Sequence, residues 1–156
     1  MKKLLIIFLL FSTTVFAEKI ERLGFYNIQE LLEDDNLTYK IIRSCVSLNS
    51  AITEITKEDH PKLSKSFFET ANYLYPFGIL TLSKIKKMSY KDVEKEYMAK
   101  VSSQTANYMD FMKANGVANQ SFIKGTFIGD DLNFCNEIRS AIEITISETN
   151  KLKSKN

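Results

Sequence analysis

The stretch Ser89 to Gly116 constrains this chain more than any other, because its apolar residues recur at helical spacing over about seven turns. Tyr90, Val93, Tyr97, Met98, Val101, Tyr108, Met109, Phe111 and Met112 fall on one face, while Lys91, Lys95, Glu96, Ser103, Asn107, Asp110 and Lys113 fall on the other. A helix with such a face has to be covered by other elements, so the rest of the chain is expected to pack around it. Ser89 and Asp92 form an S-x-x-D start, in which the serine hydroxyl accepts an orphan N–H and the carboxylate sits at the positive end of the helix. Asn115-Gly116 is the expected stop.

Three polar residues interrupt the apolar stripe. Gln104 and Thr105 are expected to hydrogen-bond across the bundle. Glu94, flanked by Tyr90, Tyr97 and Met98, is a possible buried charge, which requires either a cation beside it or access to water at the bundle end.

The covering elements are helical too. Leu37, Ile41, Cys45, Leu48, Ile52 and Ile55 mark a first long helix over roughly 37–56. Pro61 opens a second at the position helices favour for proline, with Leu63, Phe67, Ala71, Leu74, Gly78, Leu82 and Ile85 inward. Pro76 predicts a kink or break near Tyr75 to Gly78, and Gly78 permits close approach of a neighbouring helix. The last helix is expected to start at a cap on Asp130 or Asp131 and reach about Asn150, with Phe134, Cys135, Ile138, Ile142 and Ile146 inward. No period-two alternation persists, so the fold class is all-α: a small antiparallel bundle of about four long helices.

Lys2 and Lys3 precede the apolar run Leu4 to Phe11, and Ser12 to Ala17 ends in a small residue, which predicts a secretory signal peptide over 1–17 cleaved after Ala17. The apolar segment is short of the roughly 20 residues a spanning helix needs, so no stable membrane anchor is expected after cleavage. The organisation is then a signal peptide (1–17), a lead-in with a short helix at Ile28, Leu31 and Leu32 (18–36), the bundle (37–150) and a basic tail carrying Lys151, Lys153 and Lys155 (151–156). An exported chain meets an oxidising compartment, where its only two cysteines, Cys45 and Cys135, are expected to pair. Both fall on inward stripes.

Losing Lys2 and Lys3 takes the 21 basic residues to 19, equal to the 19 acidic ones, and a balanced surface argues against a nucleic-acid partner. His60 is the single histidine, and no catalytic or metal-ligand motif accompanies it, so neither an enzyme nor a cofactor or metal is expected. The acidic doublets Asp34-Asp35 and Asp130-Asp131 read as helix termini. The expected function is that of a periplasmic, non-enzymatic protein acting on a protein partner as adaptor, inhibitor or envelope-assembly factor. Its expected partner surface is the long connector 117–129, through Phe122, Ile123, Phe127 and Ile128. The alternative is a carrier of a small apolar ligand in a pocket lined by methionines and tyrosines, with Met88, Met98, Met109 and Met112 as candidates.

Overall fold

In the computed structural model, which describes residues 20–31 and 33–154, a 3-10 turn at Leu23–Phe25 and a short helix α1 (Ile28–Leu31) lead into four long helices. These are α2 (Asp35–Thr56), α3 (Pro61–Lys86), α4 (Tyr90–Asn119) and α5 (Ile128–Lys153), and the described residues contain no strand. The signal peptide expected over 1–17 lies outside the described residues.

Local chemistry sets several of the helix ends. Asp34 accepts from the backbone N–H groups of Asn36 and Leu37 and so caps α2. Pro61 stands at the first turn of α3, where its missing N–H leaves nothing unsatisfied. Ser89 caps α4 by accepting from Asp92 N. Lys87 and Gln120 close α3 and α4 in the left-handed conformation, each at φ 54°.

Cross-helix pairs give the direction of each element. Asp35 at the start of α2 pairs with Lys84 at the end of α3, and Thr53 near the end of α2 accepts at its carbonyl from Ser64 Oγ near the start of α3 (3.0 Å), so the two run antiparallel. Tyr39 meets Tyr97 and Ser44 meets Gln104, so α4 runs parallel to α2. Cys45 and Cys135 are joined by a disulfide with Cα atoms 5.4 Å apart, and Ile42 and Ile138 line a common groove, so α5 returns antiparallel to α2. The chain therefore goes up, down, up and down.

The helix at the centre is α2, not α4. It packs against α3, α4 and α5, and every residue from Ile41 to Asn49 is buried, including Arg43, Ser44, Ser47 and Asn49. A helix enclosed on several sides has to satisfy its polar groups within the protein. Ser44 Oγ accepts from Gln104 Nε2 at 2.8 Å, Ser47 Oγ donates to Val101 O at 3.3 Å, and Asn49 Nδ2 donates to Cys45 O at 2.8 Å. Thr105 Oγ1 donates to Ser47 O at 3.3 Å, so Gln104 and Thr105 both bond across the bundle as their positions predict.

On α4 the buried stripe is narrower than expected: Val93, Tyr97, Val101, Gln104, Tyr108 and Met112, spaced three or four apart. Met98 lies off this line and is exposed, and Tyr90, which continues the line to the first residue of the helix, is exposed as well. Along α3, Leu63 faces solvent, while Ser64, Thr70 and Ile79 join Ala71, Leu74, Gly78 and Leu82 inside. α3 runs as one element through Pro76, and the break allowed for near Tyr75 to Gly78 does not occur. Leu74 and Ile79 are fully buried on either side of the proline, and this packing holds the two halves in one helix. α5 buries Ile128, Asp131, Phe134, Cys135 and Ile138, but Ile146 is exposed, because α5 is exposed from Glu143 onward.

Candidate functional site

The end of the bundle where α4 closes and α5 opens holds the four residues expected to form a partner surface, arranged differently from expectation. Asn115-Gly116 does not stop α4, which continues to Asn119. Instead Asn115 Nδ2 donates to Ser121 O (2.6 Å) and Lys124 O (3.1 Å), clamping the connector from within the helix. Gly116 lies under Phe122, where an added Cβ would come within 2.8 Å of the ring. The glycine is thus needed for close packing inside a helix rather than for a left-handed turn.

The connector is also shorter than 117–129, spanning Gln120 to Phe127, and it is tied down. Ser121 Oγ accepts from Lys124 N at 2.9 Å, Thr126 Oγ1 donates to Ile123 O at 2.7 Å, and after the left-handed Gln120 the connector takes a second positive φ at Gly125, at 78°. Of the four residues expected to form a partner surface, Ile128 is 0% exposed and belongs to the core. Ile123 and Phe127 are partly buried against that core, with the Phe127 ring 5.1 Å from that of Phe111. Phe122 alone keeps a large free surface, at 45% exposure. A hydrophobic connector next to an open core edge folds onto that edge, which is why the expected four-residue surface shrinks to one member.

Residues not singled out for this role complete the same end. Phe25, in the 3-10 turn, is 75% exposed, and Val117 on α4 is 88% exposed. The Arg22 guanidinium lies 4.4 Å from the Phe25 ring centroid and 5.8 Å from that of Phe127, and it pairs with Asp130 at 3.7 Å. The sequence signal was present in Arg22 and Gly24-Phe25, but only the tertiary fold brings the lead-in against α5.

Asp131 makes that connection. It is 0% exposed, and its Oδ1 accepts from the backbone N–H groups of Leu23 (2.7 Å) and Gly24 (3.1 Å), while its Oδ2 is buried without a hydrogen-bond partner among the described residues. Burial pushes its carboxyl above the usual aspartate range, and the two N–H bonds offset part of that rise. The doublet expected to terminate a helix therefore divides: Asp130 stays at the surface with Arg22, and Asp131 pins the lead-in to α5.

Glu94, considered as a buried charge, is exposed: it stands in the second turn of α4, near the end of the bundle, and stays in water. The tyrosines around that region are buried instead. Tyr97 contacts Tyr39 and Tyr75 at ring distances of 6.0 Å and 5.2 Å, and burial raises the hydroxyl pKa of both Tyr97 and Tyr108. The methionines do not share one wall: Met112 is fully buried, whereas Met88 and Met98 face solvent.

A different apolar concavity lies between α1, α2, α3 and α5. It encloses about 280 Å³ and is walled chiefly by Ile28, Ile42, Phe77, Ile138, Ile142 and Ile146. Two threonines reach it with their hydroxyls already engaged, Thr38 Oγ1 donating to Leu31 O and Thr145 Oγ1 to Ala141 O.

His60 stands exposed in the α2–α3 connector, before Pro61. Among the described residues no group of His, Cys, Asp or Glu could hold a metal ion, and no helix is long and apolar enough to cross a membrane. No protein-family model, curated protein or solved structure matches this chain.

Proposed function

We propose that this is an exported, non-enzymatic protein of the bacterial envelope that binds a protein partner, as an adaptor, inhibitor or assembly factor, through the end of the bundle carrying Phe25, Val117 and Phe122. The observation that carries the reading is the exposure of Phe25 at 75%, beneath an arginine that also reaches Phe127. Aromatic and arginine side chains dominate binding hot spots, and an exposed ring stiffened by a stacked guanidinium loses little entropy on binding. The buried Cys45–Cys135 disulfide supports export, since thiols pair in oxidising compartments. The basic-then-apolar start of the sequence supports it as well.

A photo-crosslinking amino acid placed at Phe25, Val117 and, as a control, Glu148 tests the surface in living cells. The first two positions are expected to capture the same species and the control is not. Capture from Glu148 alone contradicts the assignment.

A second reading, carriage of a small apolar ligand, is favoured by the isoleucine-walled groove. Its lining offers no free hydroxyl to a polar ligand, so it suits an aliphatic one. Native mass spectrometry of protein purified without detergent is expected to show a bound species released on unfolding. An unliganded mass that does not change on addition of aliphatic compounds contradicts it.

A further inference from the structure

Beside the isoleucine-walled groove, further along α5, lies a second concavity of opposite character. It is an open shelf lined by Tyr73, Ser147, Asn150, Lys151 and Ser154, and it shares Ile146 with the groove. From Ile138 to Lys151 the helix rises about 20 Å, at 1.5 Å per residue. Over that length the surface changes from aliphatic to polar and cationic. The one acidic side chain on the shelf, Glu143, is already engaged by Arg139 Nε at 2.8 Å. Lys151 has no ion-pair partner among the described residues.

We infer that groove and shelf together form a site for a single-chain anionic amphiphile, with its aliphatic tail in the groove and its anionic head at Lys151. The inference rests on the apolar-ligand reading and adds the class of ligand. The groove supplies contact for methylenes and no free hydroxyl proton. The shelf supplies the Lys151 cation, the Ser147 hydroxyl and the Asn150 amide, which suit a carboxylate or phosphate oxygen, while Ser154 Oγ is already donating to Lys151 O at 2.9 Å. Ile146 stands between the two, 40% exposed, where tail and head would join.

The test is calorimetric titration of the disulfide-bonded chain with dodecanoate below its micellar concentration, with butyrate and dodecyltrimethylammonium as comparators. Dodecanoate is expected to bind saturably at one site, and across a chain-length series affinity is expected to rise about fourfold per methylene until the groove is full. Lys151→Glu is expected to weaken dodecanoate about twofold to fivefold and to favour the cationic amphiphile. Thr145→Phe, at an exposed position on the groove rim, is expected to block both amphiphiles while the helical circular dichroism is retained. Equal binding of the two head groups, unmoved by Lys151→Glu, overturns the anionic class and leaves the apolar-ligand reading standing. Failure of every amphiphile to bind overturns both. Concentration-dependent dimerisation that Ile146→Glu abolishes, with no amphiphile bound, overturns the inference by showing that a second copy covers the groove.

Discussion

Tyr97 Oη occupies the volume that any side chain at Gly78 would need: a Cβ built on Gly78 would lie 1.9 Å from that oxygen and 2.3 Å from Tyr97 Cζ. Both residues are buried, and the hydroxyl has no hydrogen-bond partner among the described residues. The close approach of α3 and α4 therefore depends on an absent side chain.

Gly78→Ala is expected to destabilise the domain by about 1 to 3 kcal/mol, the usual range for overpacking, despite alanine's better helix propensity. Tyr97→Phe is expected to recover only part of that loss, because Cζ also lies within the clash distance. Urea unfolding of the single and double variants measures the coupling. Strict additivity contradicts the contact.

The disulfide closes a long loop, with a sequence separation of 90. In the chain-entropy model, removing it by Cys45→Ala with Cys135→Ala is expected to cost about 4 to 5 kcal/mol. Mass measurement with and without reduction and alkylation checks the pairing: the unreduced mature protein is expected to carry no alkylated thiol. Two alkylated thiols contradict it.

At Asp131 burial raises the carboxyl pKa, so the folded state holds the proton to higher pH than the unfolded chain. The stability linked to this group is fully present below the unfolded value of about 3.9 and is lost as pH rises through the folded value. Urea unfolding of wild type and Asp131→Asn at pH 4 and pH 7 is expected to show wild type losing stability relative to the variant as pH rises. A difference independent of pH contradicts the assignment. Asp131→Ala is expected, in addition, to remove hydrogen-exchange protection at the Leu23 and Gly24 amides.

In the connector, Phe127→Ser is expected to cost about 2 kcal/mol, because its ring meets that of Phe111 in a tilted contact and packs against the core. Phe122→Ser, at 45% exposure, is expected to cost less than about 1 kcal/mol. Thermal unfolding of each variant measures the order. A larger loss at Phe122 contradicts the division of the connector into a core part and a surface part.

Helix periodicity, Ser89, Pro61 and the cysteines carry the fold in their own chemistry, so four helices and their staple could be read from residue types and spacing. The central helix could not. Hydrophobic spacing registers only apolar residues, and α2 is enclosed through Ser44, Ser47 and Asn49, whose burial depends on partners such as Gln104 and the Val101 carbonyl. Asn115-Gly116 misleads because the same dipeptide suits a helix end and a close packing contact, and only the position of Phe122 distinguishes them. Asp130 and Asp131 are neighbours with the same side chain, yet the surface takes one and the lead-in takes the other. Phe25 becomes conspicuous only once that lead-in is docked.

The partner surface is tested most directly by combining Phe25→Ser with Val117→Ser and measuring the yield of the partner complex trapped in cells by a crosslinker at Phe122. Both side chains are largely in solvent, so stability is expected to stay within about 0.5 kcal/mol of wild type. The account predicts loss of the trapped complex from a protein that remains folded and disulfide-bonded. An undiminished yield of the same complex would contradict it.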